Sequence, residues 1–250
     1  MMVQAALNGP RTRAEHPAIP ITAAEQATEA RASVAAGAGA IHVHVRDEHG
    51  NESLAHADVT TTIEAIRIAC PGIPVGIGTG AWIIPDLRRR LSAIRSWSVL
   101  PDFASVNLHE AGAEQVIELL LERGVGVEAG IWNAPAAVSL IRSGFADRCL
   151  RILLEPAEAS CSAGMNLLQM EGALIGVSPP RLLHGLGHRA WHLVEMAARR
   201  GYDTRIGFED TLRLPDGSHA AGNAELVRAA RGIILKAQEL SRETKLSVAE

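Results

Sequence analysis

Short apolar runs rich in Val, Ile and Leu alternate with longer amphipathic stretches along the whole chain, and Gly or Pro stops separate them. The first run is Val3–Leu7. After a long loop, Thr22 with Glu25 three residues on forms a capping box, which predicts an Ala-rich helix up to the stops at Gly37 and Gly39. Strand 41–45 follows, then a helix capped by Asp58 and running to about Cys70, strand 74–77 ending in Gly78-Thr79-Gly80, and a helix from Pro85. Further on, the pattern predicts strands 103–107, 125–131, 150–154, 181–186 and 204–208. Helices near 112–123, 135–143, 163–174 and 189–200 alternate with them, and a long final helix starts at about 219. About eight βα units in 250 residues predict one α/β domain over residues 1–250, a single (β/α)8 TIM barrel with parallel strands.

Such barrels place their chemistry at the C-terminal ends of the strands, and this chain puts its polar residues there. Within 41–47, side chains two apart share a face, so His42, His44 and Arg46 lie on one side and Ile41, Val43 and Val45 on the other. Two imidazoles side by side can hold a divalent metal, and two His with one carboxylate is a common open zinc set. The alternative is a pair of core histidines with satisfied rings. Barrel closure sets strand 8 beside strand 1 and strand 1 beside strand 2, which brings Glu209 within reach of the His pair. Arg205 and Asp210 come to the same mouth, where Asp210 beside Arg205 stays ionised as a base. A solvated Glu-Asp pair is the alternative there. Ser105 and Asn107 end strand 4, and Glu128 and Glu155 are acidic residues of strands 5 and 6. The glycine-rich turns at 78–80 and 185–187 can pass phosphates or serve only as loop geometry.

Composition narrows the classes. An apolar fraction of 47% is ample for one large core, and a net charge of −4 without a basic run leaves no footprint for nucleic acid or a membrane surface. Cys70, Cys149 and Cys161 form no CxxC pair, which fits core filler in a reducing cytosol. No apolar stretch reaches transmembrane length, so a soluble cytoplasmic protein is expected.

Taken in order, several landmarks resemble the β-keto acid cleavage enzymes, whose named member is the 3-keto-5-aminohexanoate cleavage enzyme. They are Asn8-Gly9, Arg13, His16 to Thr22, His-x-His-x-Arg-Asp at 42–47, Gly78-Thr79-Gly80, Ala104 to Asn107, Gly185-Leu186-Gly187, Arg205-x-Gly-x-Glu209-Asp210 and Asn223 to Val227. The resemblance covers nearly the whole chain. It implies a zinc-bearing barrel that condenses a β-keto acid with acetyl-CoA and releases acetoacetate and a new acyl-CoA. Carried over by motif, His42, His44 and Glu209 ligate the metal, and Asp210, held by Arg205, removes a proton from the methyl of acetyl-CoA. Ser105, Thr79, Gly80, Asn107, Arg11 and Glu128 are the expected substrate-binding residues. A homo-oligomer, a tetramer, is also implied.

Two departures from the family pattern bear on the substrate. Pro10-Arg11 stand where relatives acting on amino substrates carry an acidic residue, and Gly78 stands where some relatives carry Ser. Arg11 therefore points to a β-keto acid with an anionic or neutral tail, or else to a CoA phosphate or solvent. Two other readings compete. A zinc hydrolase barrel also uses His-x-His, though on its first strand and with further His from middle strands. A silent acyl- or CoA-binding barrel is opposed by the retention of His42, His44, Arg205, Glu209 and Asp210.

Overall fold

The computed structural model describes residues 1–156 and 163–247. Eight parallel strands close into a barrel in sequence order, β1 (Val3–Ala6), β2 (Ala40–Val43), β3 (Val75–Gly78), β4 (Phe103–Asn107), β5 (Gly126–Ile131), β6 (Arg151–Leu154), β7 (Arg181–Leu183) and β8 (Asp203–Ile206), with β8 paired back to β1. The helices are α1 (Ala23–Ala35), α2 (His56–Ala69), α3 (Leu87–Ser96), α4 (Ala113–Glu122), α5 (Ala134–Arg142), α6 (Ala163–Ala173), α7 (Ala190–Arg200) and α8 (Asn223–Ser247). The predicted (β/α)8 TIM barrel is thus the observed fold. Cys161 lies outside the described residues, while Cys70 and Cys149 are buried free thiols. No helix among the described residues is long and apolar enough to cross a membrane.

Local signals explain most element boundaries. Thr22 and Glu25 form the reciprocal capping box of α1, and Gly201 closes α7 at φ 71°. Asp58 does not cap α2. That helix starts after Ala55 with no side-chain cap, and Asp58, one turn in, accepts the Ser53 hydroxyl at 2.6 Å. The last helix begins at Asn223, later than expected, because an antiparallel bridge between Arg213 and His219 occupies the chain just before it. Strands 2, 7 and 8 also end early, at Val43, Leu183 and Ile206.

Past the ends of β2 and β8, buried side chains also tie the backbone. Asn8 accepts the His44 N–H at 2.9 Å and donates to the His44 carbonyl at 2.9 Å, and Gln26 donates to that carbonyl at 3.1 Å. Asn223 works in the same way at the other seam. It accepts from the Phe208 N–H at 2.8 Å and donates to the Leu7 carbonyl at 3.1 Å. Backbone groups that leave the ladder inside a protein need such partners, since an unpaired buried amide costs about 1–3 kcal/mol.

Inside the barrel, register sets a polar layer beneath the mouth. Glu128 is fully buried, accepts from Gln4 at 2.6 Å and from Ser105 at 2.8 Å, and has Arg151 at 3.3 Å. Outside, Ile41, Val43, Val75, Ile77, Val127, Ile152 and Leu154 belong to the apolar core. This division leaves the strand ends over the polar layer free to carry a site.

Candidate active site

The ends of β8, β1 and β2 meet at one point. Glu209 presents Oε2 to His42 Nε2 at 3.5 Å and Oε1 to His44 Nε2 at 3.4 Å, and the three groups can offer ligand atoms all within 4.8 Å of one another. Two glycines make this approach possible. Gly9 has φ 55°, and a Cβ there would lie 2.4 Å from Glu209 Cγ; a Cβ at Gly207 would lie 2.0 Å from the Ala6 carbonyl oxygen. His44 stands beyond the last β2 residue, yet the Asn8 clamp keeps it on the same face as His42, with ring centroids 5.3 Å apart.

The far nitrogen of each ring is held too. His44 Nδ1 meets Glu52 Oε1 at 2.5 Å, and the other Glu52 oxygen accepts from Trp82 Nε1 at 3.0 Å. His42 Nδ1 lies 3.4 Å from Ser105 Oγ. Both rings therefore point Nε2 at Glu209, the arrangement in which outer partners orient metal-binding histidines. Glu209 Oε2 is buried and has no hydrogen-bond donor. Ligand atoms around a tetrahedral zinc at 2.0–2.1 Å stand about 3.4 Å apart, so the His–Glu separations fit an ion among the three.

Charge in this cluster is strongly biased. Burial pushes the His42 ring down to about 3, and Glu209 opposes this without overturning it. Burial also opposes charge on His44, but Glu209 and Glu52 outweigh it and raise the ring to about 9. Glu209 is held well below the usual carboxylate range, because Arg205 and then the two histidines overcome its burial. Arg205 donates from Nη2 to Glu209 at 3.1 Å and to Asp210 at 2.7 Å.

A cavity of about 370 Å³ opens over this cluster. Of the residues expected from sequence, His42, His44, Thr79, Gly80, Ser105, Asn107, Arg11, Arg205 and Glu209 line it, whereas Glu128 and Asp210 do not. Glu128 belongs to the polar layer below. Asp210 is fully buried and accepts from the cavity-lining Arg205. The Ser105 hydroxyl donates to Glu128 on the neighbouring strand, and that of Thr79 to the Ser105 carbonyl at 2.8 Å. Arg11 forms a 2.8 Å ion pair with Glu15, which lines the cavity beside it, so the loop after β1 carries an acidic residue after all. Arg46 shares the His face but braces that loop, donating to the carbonyls of Gly9 and Arg11.

Sequence reasoning missed Glu52, Trp82 and His184. Glu52 returns to His44 because the turn at 47–51 folds the chain back and sets Glu52 antiparallel to Arg46. Its only signal was the Asp47-to-Asn51 turn composition. Trp82 closes over Gly80, where a Cβ would meet the indole at 2.3 Å, and stacks near His44 at 6.2 Å. His184 follows β7 directly and could have been found by the strand-end rule that singled out the others.

Fold and site together define a (β/α)8-barrel protein with a candidate metal centre at the C-terminal mouth of the barrel. The chain belongs to the beta-keto acid cleavage enzyme family, whose model matches residues 1–244. It is similar to the 3-keto-5-aminohexanoate cleavage enzymes of Fusobacterium nucleatum, 26% identical over 97% of this chain and 93% of that protein, and of Acetoanaerobium sticklandii, 24% identical over the same shares. A shorter match, 36% identical over 81 residues, links 32% of the chain to 28% of the 3-oxoadipate:acetyl-CoA acetyltransferase of Cupriavidus necator. Among solved structures, apo ObcA shares the fold with TM-score 0.63 and 18% identity; 88% of this chain aligns, covering 62% of that chain.

Proposed function

We propose that the protein condenses a β-keto acid with acetyl-CoA, giving acetoacetate and the CoA thioester of the remaining acyl group, with zinc at His42, His44 and Glu209. The observation that carries the reading is the convergence of both Nε2 atoms and the unpartnered Glu209 oxygen at the cavity floor, with Arg205 in the adjoining wall. A zinc ion there supplies Lewis-acid polarisation of the β-keto group and its enolate.

Atom balance decides which proton leaves. Acetoacetate keeps carbons 1 and 2 of the keto acid and takes the acetyl group, so the new bond joins C2 to the acetyl carbonyl carbon and the bond that breaks is C2–C3. The proton therefore comes from C2 of the keto acid, which corrects the expectation that it comes from the methyl of acetyl-CoA. An attack by that methyl on the keto carbon gives a tertiary alkoxide from which no single cleavage releases acetoacetate. After C2 adds to acetyl-CoA, the thiolate moves to C3, and cleavage of C2–C3 returns the electron pair, and then a proton, to C2.

In this scheme Asp210 takes the C2 proton, which requires the cavity-lining Arg205 bonded to it to shift and admit the substrate to the buried carboxylate. Arg205 holds its Oδ1, while Oδ2 carries no hydrogen bond and keeps its lone pairs for the task. Arg11 at the cavity edge selects a substrate with an anionic or neutral tail. Its guanidinium grips a carboxylate, and its pairing with Glu15 limits the selection to a preference. The similarity to a 3-oxoadipate:acetyl-CoA acetyltransferase supports a dicarboxylic substrate.

The test is release of acetoacetate by the zinc-loaded protein from acetyl-CoA and a panel of β-keto acids, with 3-oxoadipate included. Acetyl-CoA labelled at the carbonyl carbon should place its label at C3 of acetoacetate and none in the new thioester. No acetoacetate from any member of the panel overturns the function, and label at C1 overturns the carbon routing.

A further inference from the structure

We propose that His184 is a positioning residue for this condensation, the shared cationic partner that holds the cavity-wall carboxylate of Glu155 and the buried carboxylate of Asp210 in place. The inference rests on the function proposed above and assigns a role to a side chain that the metal centre does not use.

Charges alternate across the barrel mouth from Glu209 to Glu155. Arg205 lies 3.1 Å from Glu209 and 2.7 Å from Asp210; His184 Nδ1 lies 3.3 Å from Asp210, and His184 Nε2 lies 3.4 Å from Glu155. Both His184 and Asp210 are fully buried, and Glu155 lines the cavity. The backbone that carries the ring is fixed: the His184 backbone N–H donates to the Leu154 carbonyl at 3.1 Å, and the next residue, Gly185, packs so tightly that a Cβ would meet Leu193 at 2.3 Å.

The two contacts also fix the form of the ring. A neutral imidazole has one N–H and one lone pair, so one of its nitrogens would set a lone pair against a carboxylate. An imidazolium offers N–H to both. Neither contact is a well-aligned hydrogen bond, so the attraction is chiefly that of a cation between two anions. Burial and Arg205 disfavour charge on this ring, and Glu155 and Asp210 outweigh them and raise it to about 9. Without His184, three carboxylates share one guanidinium, and their uncompensated repulsion moves Asp210 and Glu155 from their places.

His184→Gln keeps a polar side chain without the charge. In the zinc-loaded enzyme it should lower kcat for acetoacetate release roughly 10- to 100-fold, with KM for acetyl-CoA within about threefold of wild type and metal content unchanged. Adding Glu155→Gln removes the stranded anion and should recover several-fold of that loss; a residue that merely fills space gives losses that multiply. A kcat for His184→Gln within about twofold of wild type, or a double variant at or below the product of the single losses, overturns the role. A second measurement uses the wild-type holoenzyme, in case His184→Gln does not fold: nitrogen-15 NMR of the His184 ring at pH 7 should show both nitrogens protonated. A neutral ring in an active enzyme overturns this inference alone, whereas an inactive wild type takes the proposed function down with it.

Discussion

His44 and Glu52 meet at 2.5 Å, Nδ1 to Oε1, through a turn that brings the chain back eight residues after His44. The contact turns the ring so that Nε2 faces Glu209, and it adds negative charge behind the ring. Carboxylates in that position on metal-binding histidines typically contribute 10- to 100-fold to metal affinity. Glu52→Gln should therefore weaken zinc binding by roughly that factor, measured by competition with a chelator of known affinity. An unchanged affinity would leave Glu52 as a hydrogen-bond partner of Trp82 and nothing more.

Removing the ligands themselves should have a larger effect. Elemental analysis of the purified protein should find about one divalent metal per chain, zinc first, and the His42→Ala/His44→Ala variant should hold none. Equal metal in both proteins would return the two rings to the status of core histidines.

Asp210→Asn should retain metal and fold and lose turnover by roughly two to four orders of magnitude, since the amide keeps the Arg205 contact and cannot take a proton. Deuterium exchange at C2 of the keto acid, followed in heavy water, isolates that step. Enzyme-catalysed exchange at the wild-type rate in the variant would move the base elsewhere, with cavity-lining Glu155 the next candidate.

Arg11 offers a substrate-level test. Arg11→Ala should lower kcat/KM for a β-keto dicarboxylate at least tenfold more than for a neutral β-keto acid and leave KM for acetyl-CoA unchanged. Glu15→Gln, which frees the guanidinium from its 2.8 Å partner, should shift the same ratio the other way. A raised KM for acetyl-CoA in Arg11→Ala would assign the residue to the CoA phosphates instead.

The pH dependence of stability follows from His184. Its ring is raised to about 9 in the folded protein, against 6.5 for an ordinary histidine. Its folded state binds a proton that the unfolded chain releases above pH 6.5, so its contribution is fully present below about pH 6.5 and disappears as pH rises through about 9. The difference in unfolding free energy between wild type and His184→Gln should shrink over that window in chemical denaturation. A difference that is flat from pH 6 to 9.5 would contradict the charged ring.

Local periodicity determined the barrel. Alternating apolar runs and amphipathic stretches, the Thr22/Glu25 box and the glycine stops act within a few residues of one another, so the strands, helices and their closure could be read from the chain. The His42, His44 and Glu209 grouping was legible for a related reason: once eight parallel strands close in order, the ends of strands 8, 1 and 2 have to be neighbours. The fold also decides whether a polar side chain reaches the cavity, and spacing is silent on that. Glu128 and Asp210 sit near strand ends as the pattern required, yet register sends Glu128 into the interior against Gln4 and Arg151, and the turn at Gly207 places Asp210 against Arg205. Glu52, Glu15 and His184 found their partners through a returning turn, a loop and the ends of the two strands beside β7. Those contacts depend on how a turn, a loop and adjacent strand ends are placed in space, which spacing along the chain does not set and the packed tertiary structure does.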